Sequence, residues 1–288
     1  MGIKKELLKT LADRITTRGD TLVADLPPEP LRQIELACCC DNCIAPDIYP
    51  QLIKTPPPDL TEQHISQYFG GVAAVETVQT PEAIYEARVI LTHVLRLMGQ
   101  MIVLPLDQAR EMSLRMSSYA DCDYLLPYLL DTGVLDTLPP ATTARIRAYL
   151  LDMTHYAVAG GTYFIQDVLT YLAVFTDALP EVIRYYRTGP PRHHLRFWST
   201  IAQVNSIHDP NRPQRGTDIH LFYRGMQPEG RQRLIDALAA PEVETLILRY
   251  AMGARDQQWM QYLSNLLDWR DAALLAAPHS AYRTERPR

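Results

Sequence analysis

The sequence predicts an all-α protein, an irregular multi-helix array or bundle with short connections, and three observations predict it. Apolar residues recur at three- and four-residue spacing through most of the chain. Gly and Pro stand at the joints between these periodic runs, and a strand-like stretch is confined to 218–223.

Ile3, Leu7, Leu8, Leu11 and Ile15 form one stripe of an opening amphipathic helix, for which Gly19 reads as the stop. Residues 25–58 carry no sustained period, are dense in proline and hold Cys38, Cys39, Cys40 and Cys43; they predict an extended, irregular segment. Asp59 then caps a helix with Ile65, Tyr68 and Phe69 on its apolar side, ending at Gly70-Gly71. Thr80-Pro81-Glu82 is the strongest start in the chain. The Thr hydroxyl caps a free N–H, Pro suits the first helical position and Glu meets the positive end of the helix dipole. The run to Leu104 turns Ile84, Ala87, Leu91, Leu95 and Met98 inward until Pro105. Further helices are predicted over 106–119, 122–131, 140–159, 162–178, 180–188 and 191–207. Beyond a Pro-rich loop at 208–213 come 228–239, 241–252 and 255–276.

No fixed repeat of the helical-solenoid kind is visible. The expectation is a single α-helical domain over 1–288, with its weakest joint near 208–217 and a polar tail, 278–288, that folding does not need. Pro127 within Leu125-Leu126-Pro127-Tyr128-Leu129-Leu130 removes a backbone donor, so a helix should kink or begin there.

A chain that is 47% hydrophobic and 21% charged can bury an ordinary globular core. Its net charge of −5 offers no basic field for nucleic acid, so DNA and RNA are not expected partners. Every apolar run is interrupted well short of the roughly 20 residues a bilayer requires, and the first residues lack the apolar centre of a signal peptide. A cytoplasmic protein is therefore expected. Cysteines bunched in one short stretch, rather than spread as a disulfide framework, fit reduced thiols there.

Cys40-Asp41-Asn42-Cys43 has the C-x-x-C spacing that lets two thiolates grip one zinc ion, and Cys38 or Cys39 could add a third. A closed site needs four ligands, so Cys122, His64 or His93 would have to come from elsewhere in the chain. Free thiols are the commoner meaning of such cysteines, and a redox role lacks the surrounding βαβ pattern. A second candidate is the cationic and aromatic stretch that includes Arg184, Arg187, Arg192, Arg196 and Trp198. These residue types anchor protein partners, although Tyr185, Leu195 and Trp198 could equally form buried helix faces while the arginines reach solvent. A third is acidic: Asp121, Asp123 and Asp136, with Asp131 between them, would steer a basic partner, and in most proteins such residues are caps or solvated faces.

The chain has no G-x-S-x-G, Walker loop, G-x-G-x-x-G or H-E-x-x-H, so no catalytic or cofactor-binding residue is assigned. The expectation is a non-catalytic, intracellular protein-binding protein, an immunity protein neutralising a bacterial toxin or effector being one form of it. A metal-binding protein using the cysteine cluster, or a helical enzyme, are the alternatives.

Three features occur in a suggestive order. Cys40 and Cys43 come first, then Asp59-Leu60-Thr61-Glu62-Gln63-His64-Ile65-Ser66-Gln67-Tyr68, then Asp123-Tyr124-Leu125-Leu126-Pro127-Tyr128-Leu129-Leu130-Asp131. This order resembles a family of bacterial cytosolic proteins with no assigned activity. That family carries an early C-x-x-C, a Leu- and Thr-containing helix ending in Tyr, and a later F-L-P-R-x-L-E-L-like motif. The family's arginine is Tyr128 here and its glutamate is Asp131. The likeness implies an all-α fold and carries no catalytic residue across.

Overall fold

The structure is a computed structural model. It describes residues 2–72, 79–105, 108–109, 122–160, 165–175, 177–206, 228–252, 260, 263–264, 266–268 and 270–271. Among the described residues there are helices and no strand, as the periodicity requires. In chain order they are α1 (Gly2–Ala24), α2 (Tyr49–Leu52), a 3₁₀ turn (Pro57–Asp59), α3 (Glu62–Val72), α4 (Pro81–Val103), α5 (Cys122–Asp131) and α6 (Val134–Thr137). They continue with α7 (Pro140–Gly160), α8 (Ile165–Leu172), α9 (Ala178–Thr188), α10 (Pro191–Ser206), α11 (Pro228–Ala239) and α12 (Pro241–Ala251). Contacts gather these elements into two compact units, Met1–Tyr156 and Ala157–Arg288. The predicted joint at 208–217, the strand-like stretch 218–223 and the tail 278–288 lie outside the described residues, as do almost all of 106–119.

In the first unit α4 is the central helix, with α1, α3 and α6 packed on it. Its burial runs around the whole cylinder, from Ala87, Val89, Ile90 and Leu91 to Val94, Leu95, Leu97 and Met98, which is what a helix enclosed by others requires. It starts as Thr80-Pro81-Glu82 predicts: the Ala83 N–H donates to the Thr80 hydroxyl oxygen at 3.0 Å. That hydroxyl in turn donates to the Glu35 carboxylate.

Gly19 does not end α1, which continues to Ala24. Its role is packing. A Cβ at Gly19 would stand 2.7 Å from the Tyr149 hydroxyl oxygen, and one at Gly99 of α4 only 1.8 Å from the same atom. Two glycines on neighbouring helices thus form the notch that receives the ring end of buried Tyr149 from α7. Arg14 and Arg18 of α1 also pair with Asp152 of α7, at 2.6 and 2.9 Å.

Pro127 lies inside α5, exposed, and the helix runs on through it to Asp131. The expected helix 162–178 is shorter than its pattern. A turn after Leu172, closed by Phe175 N–H to Leu172 C=O at 3.1 Å, separates α8 from α9.

The second unit is built on α9 and α10, with α8 against both, α11 against α9, and α12 against α10. Its core is aromatic. Tyr186 stacks on Phe197 at 4.8 Å between centroids, and Phe197 meets Trp198 edge to face at 4.9 Å. Arg270, only 4% exposed, pairs with Glu244 at 2.8 Å, the compensation a buried guanidinium needs.

Candidate functional site

The irregular segment between α1 and α3 is held in place by α4. Glu86 and His93 lie seven residues apart and therefore on one face of that helix, and both are buried. The Glu86 carboxylate accepts the backbone N–H of Glu35 at 2.6 Å and of Leu36 at 3.2 Å. Nε2 of His93 bonds the Pro57 carbonyl at 2.7 Å, so that nitrogen carries the proton. Two buried polar side chains thus give a largely irregular segment, broken only by α2 and the 3₁₀ turn, backbone partners it would otherwise lack. Burial pushes the Glu86 carboxyl up to about 7, against the pull of the N–H groups of Glu35 and Leu36 and the Tyr68 hydroxyl. Burial pushes His93 down to about 4. Glu86 did not stand out in the sequence, where the helical period marks Ile84, Ala87 and Leu91 and gives no reason to place a carboxylate inside; His93 did, as a possible remote metal ligand, and its structural use is this anchor instead.

Between these anchors the chain presents the cysteines. Leu36, Ala37 and Ile44 are buried on either side, and the Ala45 N–H donates to Gln67 Oε1 of α3 at 3.1 Å. The Cys38 N–H donates to the Gly71 carbonyl at 2.8 Å. Only glycine allows this approach: a Cβ at Gly71 would come within 2.5 Å of the Cys38 carbonyl oxygen, and one at Gly70 within 2.8 Å of that of Cys43. Gly70-Gly71 reads in the sequence as a helix stop; its structural use is to seat the cysteine loop.

The loop itself is a tight turn, with the N–H groups of Cys43 and Ile44 both donating to the Cys40 carbonyl, at 2.8 and 3.1 Å. It brings the sulfurs of Cys38, Cys40 and Cys43 within 4.8 Å of one another, and Cys38 Sγ lies 3.2 Å from Cys40 Sγ. Tetrahedral zinc with bonds of about 2.3 Å needs its sulfurs about 3.8 Å apart, so modest side-chain adjustment suffices. Cys39 is outside the group. Its thiol lies near the Tyr49 side chain and is exposed.

Hydrogen bonds from the Cys38 and Cys43 side chains, and from the backbone of Asn42 and Cys43, favour the Cys40 thiolate and lower its pKa. The same sharing pushes the Cys43 thiol up to about 11, since one proton is best kept where the neighbouring sulfur is already negative.

The histidines considered as remote ligands are engaged elsewhere. His64 Nδ1 accepts the Thr61 N–H at 3.1 Å and its Nε2 meets Gln51 Oε1 at 3.3 Å, while His93 holds Pro57. The Cys122 side chain lies outside the described residues. C-x-x-C was legible in the sequence, but the choice of Cys38 over Cys39 as the third sulfur needed the geometry.

In the second unit, part of the cationic stretch borders a groove of about 520 Å³. Arg184, Arg187 and Trp198 line it together with Arg233, Asp236 and Glu242 from α11 and α12. Arg187 is paired with Glu242 at 2.6 Å. Trp198 is 2% exposed, and its indole N–H donates to His194 Nε2 at 3.0 Å, so it forms the groove's inner wall. Arg192 is exposed and Arg196 half-buried, and neither borders the groove. Arg233 and Glu242 belong to the site although nothing in the local sequence announces them; a different helix brings them in. Of the acidic candidates, Asp136 is exposed on α6, Asp121 lies outside the described residues and so does the side chain of Asp123.

Comparison of the chain with protein-family models, with curated proteins and with solved structures found no match. The likeness drawn from Cys40, Cys43 and the Leu-Pro helix rests on those motifs alone. No helix among the described residues is long and apolar enough to cross a membrane.

Proposed function

We propose that this protein binds a thiophilic divalent metal, zinc being the natural candidate, through Cys38, Cys40 and Cys43. The observation that carries this reading is the convergence of three sulfurs within 4.8 Å on a loop whose backbone is fixed by α3 and α4. Thiolate sulfur selects zinc over the hard cations, which prefer oxygen. In the reduced full chain, metal analysis should find one zinc per molecule, lost on Cys38→Ser, Cys40→Ser or Cys43→Ser and kept on Cys39→Ser. Because a thiol must give up its proton to become a ligand, affinity should fall on acidification. Zinc that survives all three substitutions, or reduced folded protein that takes up none, would defeat the reading.

A second reading, binding of a protein partner, is favoured by the groove of the second unit. With Arg187 neutralised by Glu242, the groove still holds Arg184 and Arg233, both exposed, against Asp236. That balance suits an acidic peptide, whose approach the two guanidinium groups would steer. Titration with a short glutamate-rich peptide should show saturable binding. Arg184→Glu with Arg233→Glu should weaken it about fivefold, since two exposed charge contacts are worth about 1 kcal/mol together. Equal affinity of the double variant at an unchanged melting temperature would remove the groove from consideration.

A further inference from the structure

We propose, on the basis of the metal reading above, that the Cys38, Cys40 and Cys43 centre is an open one. The protein supplies three thiolates, and the fourth position of the bound zinc takes an exogenous neutral donor, water at rest and an imidazole nitrogen when one is offered. Among the described residues the cluster gathers no fourth His, Cys, Asp or Glu. Cys39 is outside the group, and His64 and His93 spend ring nitrogens on Thr61, Gln51 and Pro57. The tip of the loop, at Cys40, Asp41 and Asn42, is exposed, so solvent reaches the side from which a fourth ligand would enter.

Structural zinc sites close with four protein ligands and hold up the fold around them, whereas sites that exchange or react keep one position free. The cysteine loop belongs to the second kind by its supports. Glu86 holds Glu35 and Leu36, Gly71 holds Cys38, and Gln67 holds Ala45, and none of these bonds involves a sulfur. The loop therefore keeps its shape without metal.

Charge decides the class of the fourth donor. Zinc with three thiolates carries one net negative charge. A fourth thiolate would add another in a loop that already carries the exposed Asp41, whereas imidazole adds none. In the exchange one zinc–oxygen bond to water breaks and one zinc–nitrogen bond forms; water leaves, and no proton or electron moves.

Cobalt is the probe, because it occupies zinc sites and reports its ligands in the visible spectrum. The reduced full chain, loaded with one equivalent of Co²⁺, should show thiolate-to-cobalt charge transfer and tetrahedral d–d bands. Imidazole should shift the d–d bands saturably, one imidazole per cobalt, with the charge transfer retained. Cys39→Ser should reproduce both results, and far-ultraviolet circular dichroism should be the same with and without metal.

Bands indifferent to imidazole but altered by Cys39→Ser or His64→Gln would mean a closed site and overturn this inference while leaving the metal reading standing. Removal of cobalt by imidazole, with loss of charge transfer, would overturn it equally. Absence of charge transfer in the reduced protein would defeat the metal reading itself.

Discussion

Gly99→Ala is expected to destabilise the first unit by about 2 kcal/mol or more, although alanine is the better helix former by about 1 kcal/mol. The added methyl would stand 1.8 Å from the Tyr149 hydroxyl oxygen, 2.8 Å from Cζ of the same ring and 3.0 Å from Ile15 Cγ2. None of these atoms is the free end of a flexible side chain. Tyr149 is 1% exposed and Ile15 is fully buried, so relief requires α1, α4 and α7 to separate. Tyr149→Phe removes the nearest atom but leaves Cζ too close, so the double variant should recover part of the loss. Gly19→Ala, whose methyl meets the same hydroxyl at 2.7 Å, should cost less. Thermal or denaturant unfolding of the four proteins decides the matter. A Gly99→Ala variant as stable as the parent would show that the notch is not tight.

The helices were legible where the sequence carries their own chemistry. Thr80-Pro81-Glu82 starts α4, and the 122–131 and 228–239 patterns return as α5 and α11 within their predicted limits. What failed was punctuation. Gly19 reads as a stop by local rules and proves to be a contact surface, because the partner that needs the space, Tyr149, is far away in sequence. The same holds for Gly70 and Gly71, whose meaning depends on the carbonyls of Cys43 and Cys38. At the site, C-x-x-C spacing identified two sulfurs, since a turn of that length is a local device. The third depended on the path of an irregular stretch that no period marks. Arg233 and Glu242 reach the groove only because α11 packs on α9 and α12 on α10. The double role of α4, core helix and clamp on the cysteine segment, was hidden because Glu86 looks like an ordinary surface residue in a chain that is 21% charged, and His93 reads as a possible metal ligand rather than an anchor.

That clamp predicts a pH response in which two opposed effects conceal each other. Glu86 is raised from 4.5 to about 7 in the folded protein, chiefly by burial. The unfolded chain releases this proton more readily, so its contribution is fully present below about 4.5 and is lost as pH rises through 7. His93 is lowered from 6.5 to about 4, also by burial. There the unfolded chain takes up the proton more readily, so its contribution is fully present above about 6.5 and is lost as pH falls through 4. Each displacement is worth about 3 kcal/mol, and between pH 4.5 and 6.5 the two slopes run in opposite directions. Glu35, Tyr49 and Tyr68 stand near Glu86, and Arg96 and His64 near His93. Burial also lowers His64, which adds to the slope of His93. The parent should therefore show a shallow profile, whereas Glu86→Gln should gain stability from pH 4.5 to 6.5 and His93→Gln should lose it over the same interval. Glutamine keeps a carbonyl for the N–H groups of Glu35 and Leu36 in the first case and an N–H for the Pro57 carbonyl in the second, so the anchors survive while the titration is removed. Denaturant unfolding at several pH values measures both slopes. Two variants with profiles parallel to the parent's would show that neither group titrates with folding, and that the clamp on the cysteine segment is insensitive to protons.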